Sequence, residues 1–243
     1  MASFPLLVKI PLLFGAALAN HVTFTPPNPP PDPKEKERFG VTGKVLSTIR
    51  PPWVRRIHRD LTWGIILCEI LVILATSYPS AASKQMLSFF SPGRSVPDVQ
   101  VHITSTFIVG WLLLVTGGYI RYACYRTLGR HFTFELALRD SHCLITCGPY
   151  SVVRHPSYTA SMMAGVGLLL CVSGHGSWLA ESGMMNSFAG RLCVLIWAAE
   201  KIFVPIVMLL RVEKEDGALR KEFGDQWVEW AKKTPYKLVP AVF

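Results

Sequence analysis

Charge is scarce in this chain: Asp, Glu, Lys and Arg make up 17% of its 243 residues, while half are hydrophobic. The apolar residues fall in long runs rather than along amphipathic elements, so a core formed largely against lipid is expected instead of a soluble domain. Cysteine is sparse too. Six thiols, at positions 68, 124, 143, 147, 171 and 193, are too few and too scattered for a disulfide scaffold, and no C-x-x-C pair offers zinc-ligand spacing. No N-x-[ST] sequon with a permissible middle residue occurs, and no G-x-G-x-x-G marks a dinucleotide site. Acidic residues are outnumbered, 16 against 25 Lys and Arg. The basic residues lie between apolar runs and not as a stripe on a polar domain, which excludes the usual nucleic-acid footprint and suits cytosolic loops. No metal is expected.

A bilayer core of roughly 30 Å needs about 20 apolar residues of helix. Five segments qualify, at about residues 4–22, 61–78, 101–120, 158–174 and 188–210. Ala17-Leu18-Ala19 resembles a signal-peptidase site, but the first segment lacks a basic n-region and carries Lys9 within its apolar run, so a retained helix is expected. Lys plus Arg number eight in 23–60, two in 79–100, five in 121–157, none in 175–187 and seven in 211–243. This alternation places the N-terminus outside and the longer basic loops and the tail in the cytosol.

The chain therefore reads as an all-α integral membrane protein in three parts. Residues 1–60 hold a first helix, a proline-rich linker and a basic segment; 61–120 hold the second and third helices; 121–243 hold the chemistry, with the fourth and fifth helices and a cytosolic tail. The Pro26–Pro33 stretch predicts an extended polyproline linker. The run from Lys34 to Asp60 suits either the headgroup level or a solvated loop.

The informative stretch runs from Leu128 to Tyr158. Within it, Gly148-Pro149-Tyr150 is a turn signal, and Arg154-His155-Pro156-Ser157-Tyr158 puts proline at the first position of the fourth helix. Unpaired N–H groups at such an entrance favour an anionic ligand group. After the fifth helix, Arg211 and Glu215 stand at i, i+4 spacing on one face, which predicts either a surface ion pair or a site at the membrane boundary. Glu200 and Lys201, in mid-helix, suggest a polar cavity or a mutual pair.

Together, G-P-Y-x-x-x-R-H-P-S-Y and R-x-E-x-E-x-x-x-L-x-x-x-F-G-x-x-W resemble the isoprenylcysteine carboxyl methyltransferases over residues 100–240. The resemblance implies S-adenosylmethionine as methyl donor, prenylated proteins or peptides as substrates, and residence in the endoplasmic reticulum with the site facing the cytosol. By matching position, it implies a cofactor pocket formed by the loop before the fourth helix and the C-terminal tail. His142, Cys143, Leu144, Ile145 and Tyr150 line it, His155, Pro156, Ser157 and Tyr158 form its wall, and Glu215 contacts the cofactor. Arg211 is assigned to the substrate carboxylate. Glu135 stands where members commonly carry Gln. Phospholipid N-methyltransferases and membrane sterol reductases share stretches like the first motif, and a non-enzymatic scaffold or channel is the remaining alternative. A carboxylate acceptor is already ionised at neutral pH, so positioning rather than a general base is what the site has to supply.

Overall fold

A computed structural model of the chain describes residues 4–32, 34–35, 51–91, 100–135, 137 and 143–242, and among these no strand occurs. The fold is all-α: α1 (Phe4–Phe24), α2 (Pro52–Ser77), α3 (Ala81–Phe90), α4 (Ser105–Leu128), α5 (Pro156–Ser173), α6 (Phe188–Phe223) and α7 (Asp225–Lys233). Five of these helices, α1, α2, α4, α5 and α6, are long and apolar enough to cross a membrane. Pro52 and Pro156 open α2 and α5, where a missing N–H removes no intrahelical bond. Ser80 caps α3 by exchanging hydrogen bonds with Ser83. Gly224, at φ 52°, ends α6 in a left-handed conformation that favours glycine.

Three boundaries differ from expectation for physical reasons. α2 starts at Pro52, so the Trp53–Arg59 segment is the first part of a membrane helix, with Trp53 and Ile57 exposed. α4 runs on to Leu128 and thereby draws Arg121 into a helix interior. α6 continues for 36 residues, past its apolar stretch and through the Arg211–Glu215 motif. The Lys34–Asp60 reading otherwise falls mostly on residues outside those described.

The chain divides into two units. The first comprises residues 1–21, 59–116 and 163–203. Its core is built from Leu13, Ala16, Ile66, Ile73, Leu114 and Leu168, all at most 1% exposed. Here α4 and α5 pack backbone against backbone: a Cβ added to Gly110 would lie 2.8 Å from the Gly167 carbonyl oxygen and 2.7 Å from Leu170 Cβ. Small residues at such a crossing let dispersion act between helices that lipid would otherwise separate. The same unit buries Lys9 completely, its ammonium paired with Glu69 at 2.7 Å and donating to the carbonyls of His102 and Gly176. Glu200 and Lys201 pair with each other at 2.5 Å, and the ammonium lies 5.0 Å from the Trp197 ring centre.

The second unit comprises residues 22–58, 117–162 and 204–243. Its core gathers Cys124, Tyr125, Phe132, Tyr150 and Trp230. Residues 25–32 of the proline-rich stretch form no helix, and they are anchored: Asn28 Nδ2 donates to the carbonyls of Gly129 and Phe132 at 2.8 and 3.0 Å. This unit holds almost all the residues to which the sequence assigns chemistry.

Candidate active site

The two sequence motifs meet within the second unit. Gly148, at φ 59°, takes a left-handed conformation that an L side chain rarely adopts. The short turn Gly148–Ser151 that follows buries Tyr150. Burial, reinforced by Cys124 and Glu215, pushes the Tyr150 phenol well above its ordinary value, so it stays protonated at physiological pH. The Tyr150 carbonyl accepts Trp230 Nε1 at 3.2 Å, fixing α7 against the turn.

The N–H groups of Arg154 and His155 are not open to a ligand. They donate to the carbonyls of Tyr236 and Lys237 at 2.9 and 2.8 Å, and Thr159 Oγ1 donates to Leu238 O at 2.7 Å. The C-terminal segment is thus strapped along the entrance of α5, and the expected anion site at those two amides is filled by main chain. The side chains of Arg154 and His155 are also taken up. Asp216 on α6 accepts from His155 Nε2 at 3.0 Å on one oxygen and pairs with Arg154 Nη2 at 3.2 Å through the other. All three are buried. A carboxylate can only accept, so the His155 proton facing it sits on Nε2.

Next to this triad the His155 ring stacks on Tyr158, with centroids 5.4 Å apart and planes 16° from parallel. The Tyr158 hydroxyl donates to Glu215, and Arg211 lies over the same ring with Cζ 5.6 Å from its centre. Arg211 and Glu215 therefore share a face as the spacing predicts, but they meet on Tyr158 and not on each other. Arg211 Nη1 donates to Phe134 O at 3.0 Å, while its buried Nε–H has no partner among the described residues. Such an orphaned donor is costly unless a ligand completes it.

The other assigned residues are distributed around this centre. Glu135 is buried, and its backbone carbonyl accepts Thr133 Oγ1 at 2.6 Å. Leu144 and Ile145 pack on the Tyr125–Tyr150 cluster. Cys143 is exposed, its sulfur 3.8 Å from His131 Nε2. Pro156 and Ser157 are buried at the start of α5. His142 lies outside the described residues.

Sequence reasoning missed Asp216 and Arg121. Asp216 follows Glu215 directly, yet it falls on a different neighbour because successive helical residues point about 100° apart. Arg121 was counted with a loop, whereas an arginine inside an apolar helix is itself a signal of function.

These motifs fall within, or continue from, a recognisable stretch. Residues 109–181 match the profile of the isoprenylcysteine carboxyl methyltransferase family. The chain is similar to protein-S-isoprenylcysteine O-methyltransferase B of Arabidopsis thaliana, 28% identical over 68% of this chain and 74% of that protein. It is 27% identical to the Homo sapiens protein-S-isoprenylcysteine O-methyltransferase over 71% of this chain and 54% of that protein. The Xenopus laevis enzyme of the same name is likewise 27% identical, over 65% of this chain and 49% of its own length. With five membrane-length helices and both motifs converging on Tyr158, the chain is similar to the isoprenylcysteine carboxyl methyltransferase family, whose profile it matches over residues 109–181.

Proposed function

We propose that the protein transfers a methyl group from S-adenosylmethionine to the C-terminal carboxylate of a prenylated cysteine, giving the methyl ester. The observation that carries this reading is Arg211. One of its nitrogens is fixed on the Phe134 carbonyl and its Nε–H is buried without a partner, so a guanidinium edge is held rigid and unsatisfied. A planar, permanently charged donor of this kind suits a carboxylate. Relatives named for isoprenylcysteine O-methylation support the same acceptor.

The residues present fit a sulfonium methyl donor. Glu215 offers an anionic oxygen oriented by Tyr158, whose ring is itself held between His155 and Arg211. Leu144, Ile145, Tyr150 and the His155–Tyr158 entrance would hold the remainder of the donor, with His142, Cys143 and Glu135 assigned to it by motif position. When bound, S-adenosylmethionine supplies an electrophilic methyl group. The chain's own part is to orient the acceptor carboxylate through Arg211, to exclude water through the Phe132–Phe134–Tyr125 cluster, and to hold Tyr158 and Glu215 in register. No residue has to remove a proton, because the acceptor is already ionised.

The prenyl chain would enter from the bilayer and the charged donor from the cytosol, in an enzyme of the endoplasmic reticulum whose basic loops face the cytosol. Removing the terminal charge makes a prenylated C-terminus more membrane-seeking. The test is transfer of labelled methyl from S-adenosylmethionine to a farnesylcysteine analogue, with a phospholipid amine in parallel. Arg211→Ala and Glu215→Ala are each expected to abolish transfer in correctly inserted protein. Wild-type turnover in either variant, or methylation of the amine alone, would sink this reading.

A further inference from the structure

Arg121 is an arginine buried within the apolar helix α4. It is 5% exposed, midway between Gly117 and Tyr125 on α4. Its hydrogen-bond partners among the described residues are neutral: Nε donates to Thr23 O at 3.0 Å and Tyr125 Oη at 2.9 Å, and Nη1 donates to Ser157 O at 3.0 Å and Ser157 Oγ at 2.5 Å. The rings of Tyr125, Phe132 and Phe134 surround the guanidinium, with centres 5.4, 5.4 and 4.6 Å from Cζ. Among the described residues no carboxylate pairs with it. Aromatic faces offset part of the desolvation of a buried cation but not all of it. A guanidinium stays charged at any physiological pH, so its field is permanent.

The consequence falls on Ser157. A hydroxyl has one hydrogen to donate and two lone pairs to accept with. Arg121 can only donate, so the Ser157 oxygen is the acceptor and its hydrogen is unspent. Among the described residues no acceptor takes that hydrogen. Ser157 stands between His155, held by Asp216, and Tyr158, beneath Arg211. A buried donor without an acceptor, beside a cation without an anion, calls for one ligand group that supplies both.

We infer that Arg121 and Ser157 form a carboxylate-reading pair, in which Arg121 occupies the hydroxyl's lone pair and aims its hydrogen at a carboxylate oxygen of a bound reactant. Arg121 is the positioning residue and Ser157 the contact. Both reactants of the proposed reaction carry a carboxylate, one on the amino-acid end of the methyl donor and one on the prenylcysteine, and the chemistry that recognises them is the same. The inference rests on the proposed reading only for the identity of those ligands.

The test measures binding to full-length protein in lipid nanodiscs. S-adenosylhomocysteine is compared with its decarboxylated analogue, and farnesylcysteine with its amide. In Ser157→Ala, affinity for one carboxylate-bearing ligand is expected to fall roughly 10- to 100-fold, the range for a hydrogen bond to a charged group, while its carboxylate-free counterpart binds as before. Which pair responds tells which carboxylate is read. Ser157→Thr, which keeps the hydroxyl, should retain the discrimination, and Arg121→Lys, which keeps charge but loses the fork, should retain part of it. Equal affinities of Ser157→Ala and wild type for both carboxylate ligands would overturn the pair, as would equal losses with and without the carboxylate. Failure of the proposed reaction is separable: wild-type protein would then methylate no prenylcysteine, yet the Ser157-dependent discrimination would persist with S-adenosylhomocysteine.

Discussion

Lys9 Nζ lies 2.7 Å from Glu69 Oε1, with the two side chains 0% and 1% exposed, and this contact ties α1 to α2 inside the apolar core of the first unit. The ammonium donates to His102 O and Gly176 O and pairs as an ion with Glu69 Oε1, while the second Glu69 oxygen accepts Trp178 N at 3.2 Å. The desolvation cost of burying each charge is thus offset only while the other is present.

Lys9→Met and Glu69→Leu should therefore each destabilise the protein, Lys9→Met by about 3 to 5 kcal/mol because it leaves a carboxylate buried alone. The double variant Lys9→Met/Glu69→Leu should lose much less than the sum of the single changes, since neither charge then remains. Thermal unfolding of detergent-solubilised protein, followed by tryptophan fluorescence, measures this. Additive losses would show that the two residues act separately.

Asp216 is expected to matter for the same physical reason in a different place. It is the common acceptor of Arg154 and His155, and all three are buried. Asp216→Ala leaves two donors without an acceptor and should cost about 3 to 5 kcal/mol, as breaking a buried pair does. Asp216→Asn keeps an oxygen for one donor but lacks the charge, so the loss should be smaller. In methyl transfer both variants should be impaired even at temperatures where they remain folded, because His155 stacks on Tyr158 and Tyr158 holds Glu215. Unchanged kcat and KM in folded Asp216→Asn would separate the triad from the site.

Much of this arrangement was legible in the sequence, and the rest was hidden for identifiable reasons. Hydrophobic length located all five membrane helices, because a bilayer imposes a minimum run that composition reveals. The turn at Gly148-Pro149 and the helix start at Pro156 were readable because glycine and proline restrict the backbone locally. Arg211 and Glu215 were placed correctly on one face, yet their meeting point on Tyr158 depends on a partner more than 50 residues away, which periodicity does not encode. The role of Glu69 was invisible for a related reason. A lone glutamate in an apolar run has several possible partners, and only tertiary packing selects Lys9. Of the amides expected to be open at the α5 entrance, those of Arg154 and His155 are filled by a distant stretch of chain, through the carbonyls of Tyr236 and Lys237.

That strap carries the last prediction. Removing residues 236–243 deletes the acceptors for Arg154 N, His155 N and Thr159 Oγ1, and also the Lys237 partner of Glu213. Buried main-chain donors left without acceptors cost about 1 to 3 kcal/mol each, and here they belong to the residues that aim His155 and hold Ser157. A chain ending at Pro235 should therefore keep its helices but lose most methyl transfer, whereas a chain ending at Val239 retains all three acceptors and should keep most of its activity. Circular dichroism and labelled-methyl transfer on the two truncated proteins distinguish these outcomes. Equal activity in both would mean that the C-terminal segment merely rests on the entrance of α5 and that Asp216 alone fixes the geometry there.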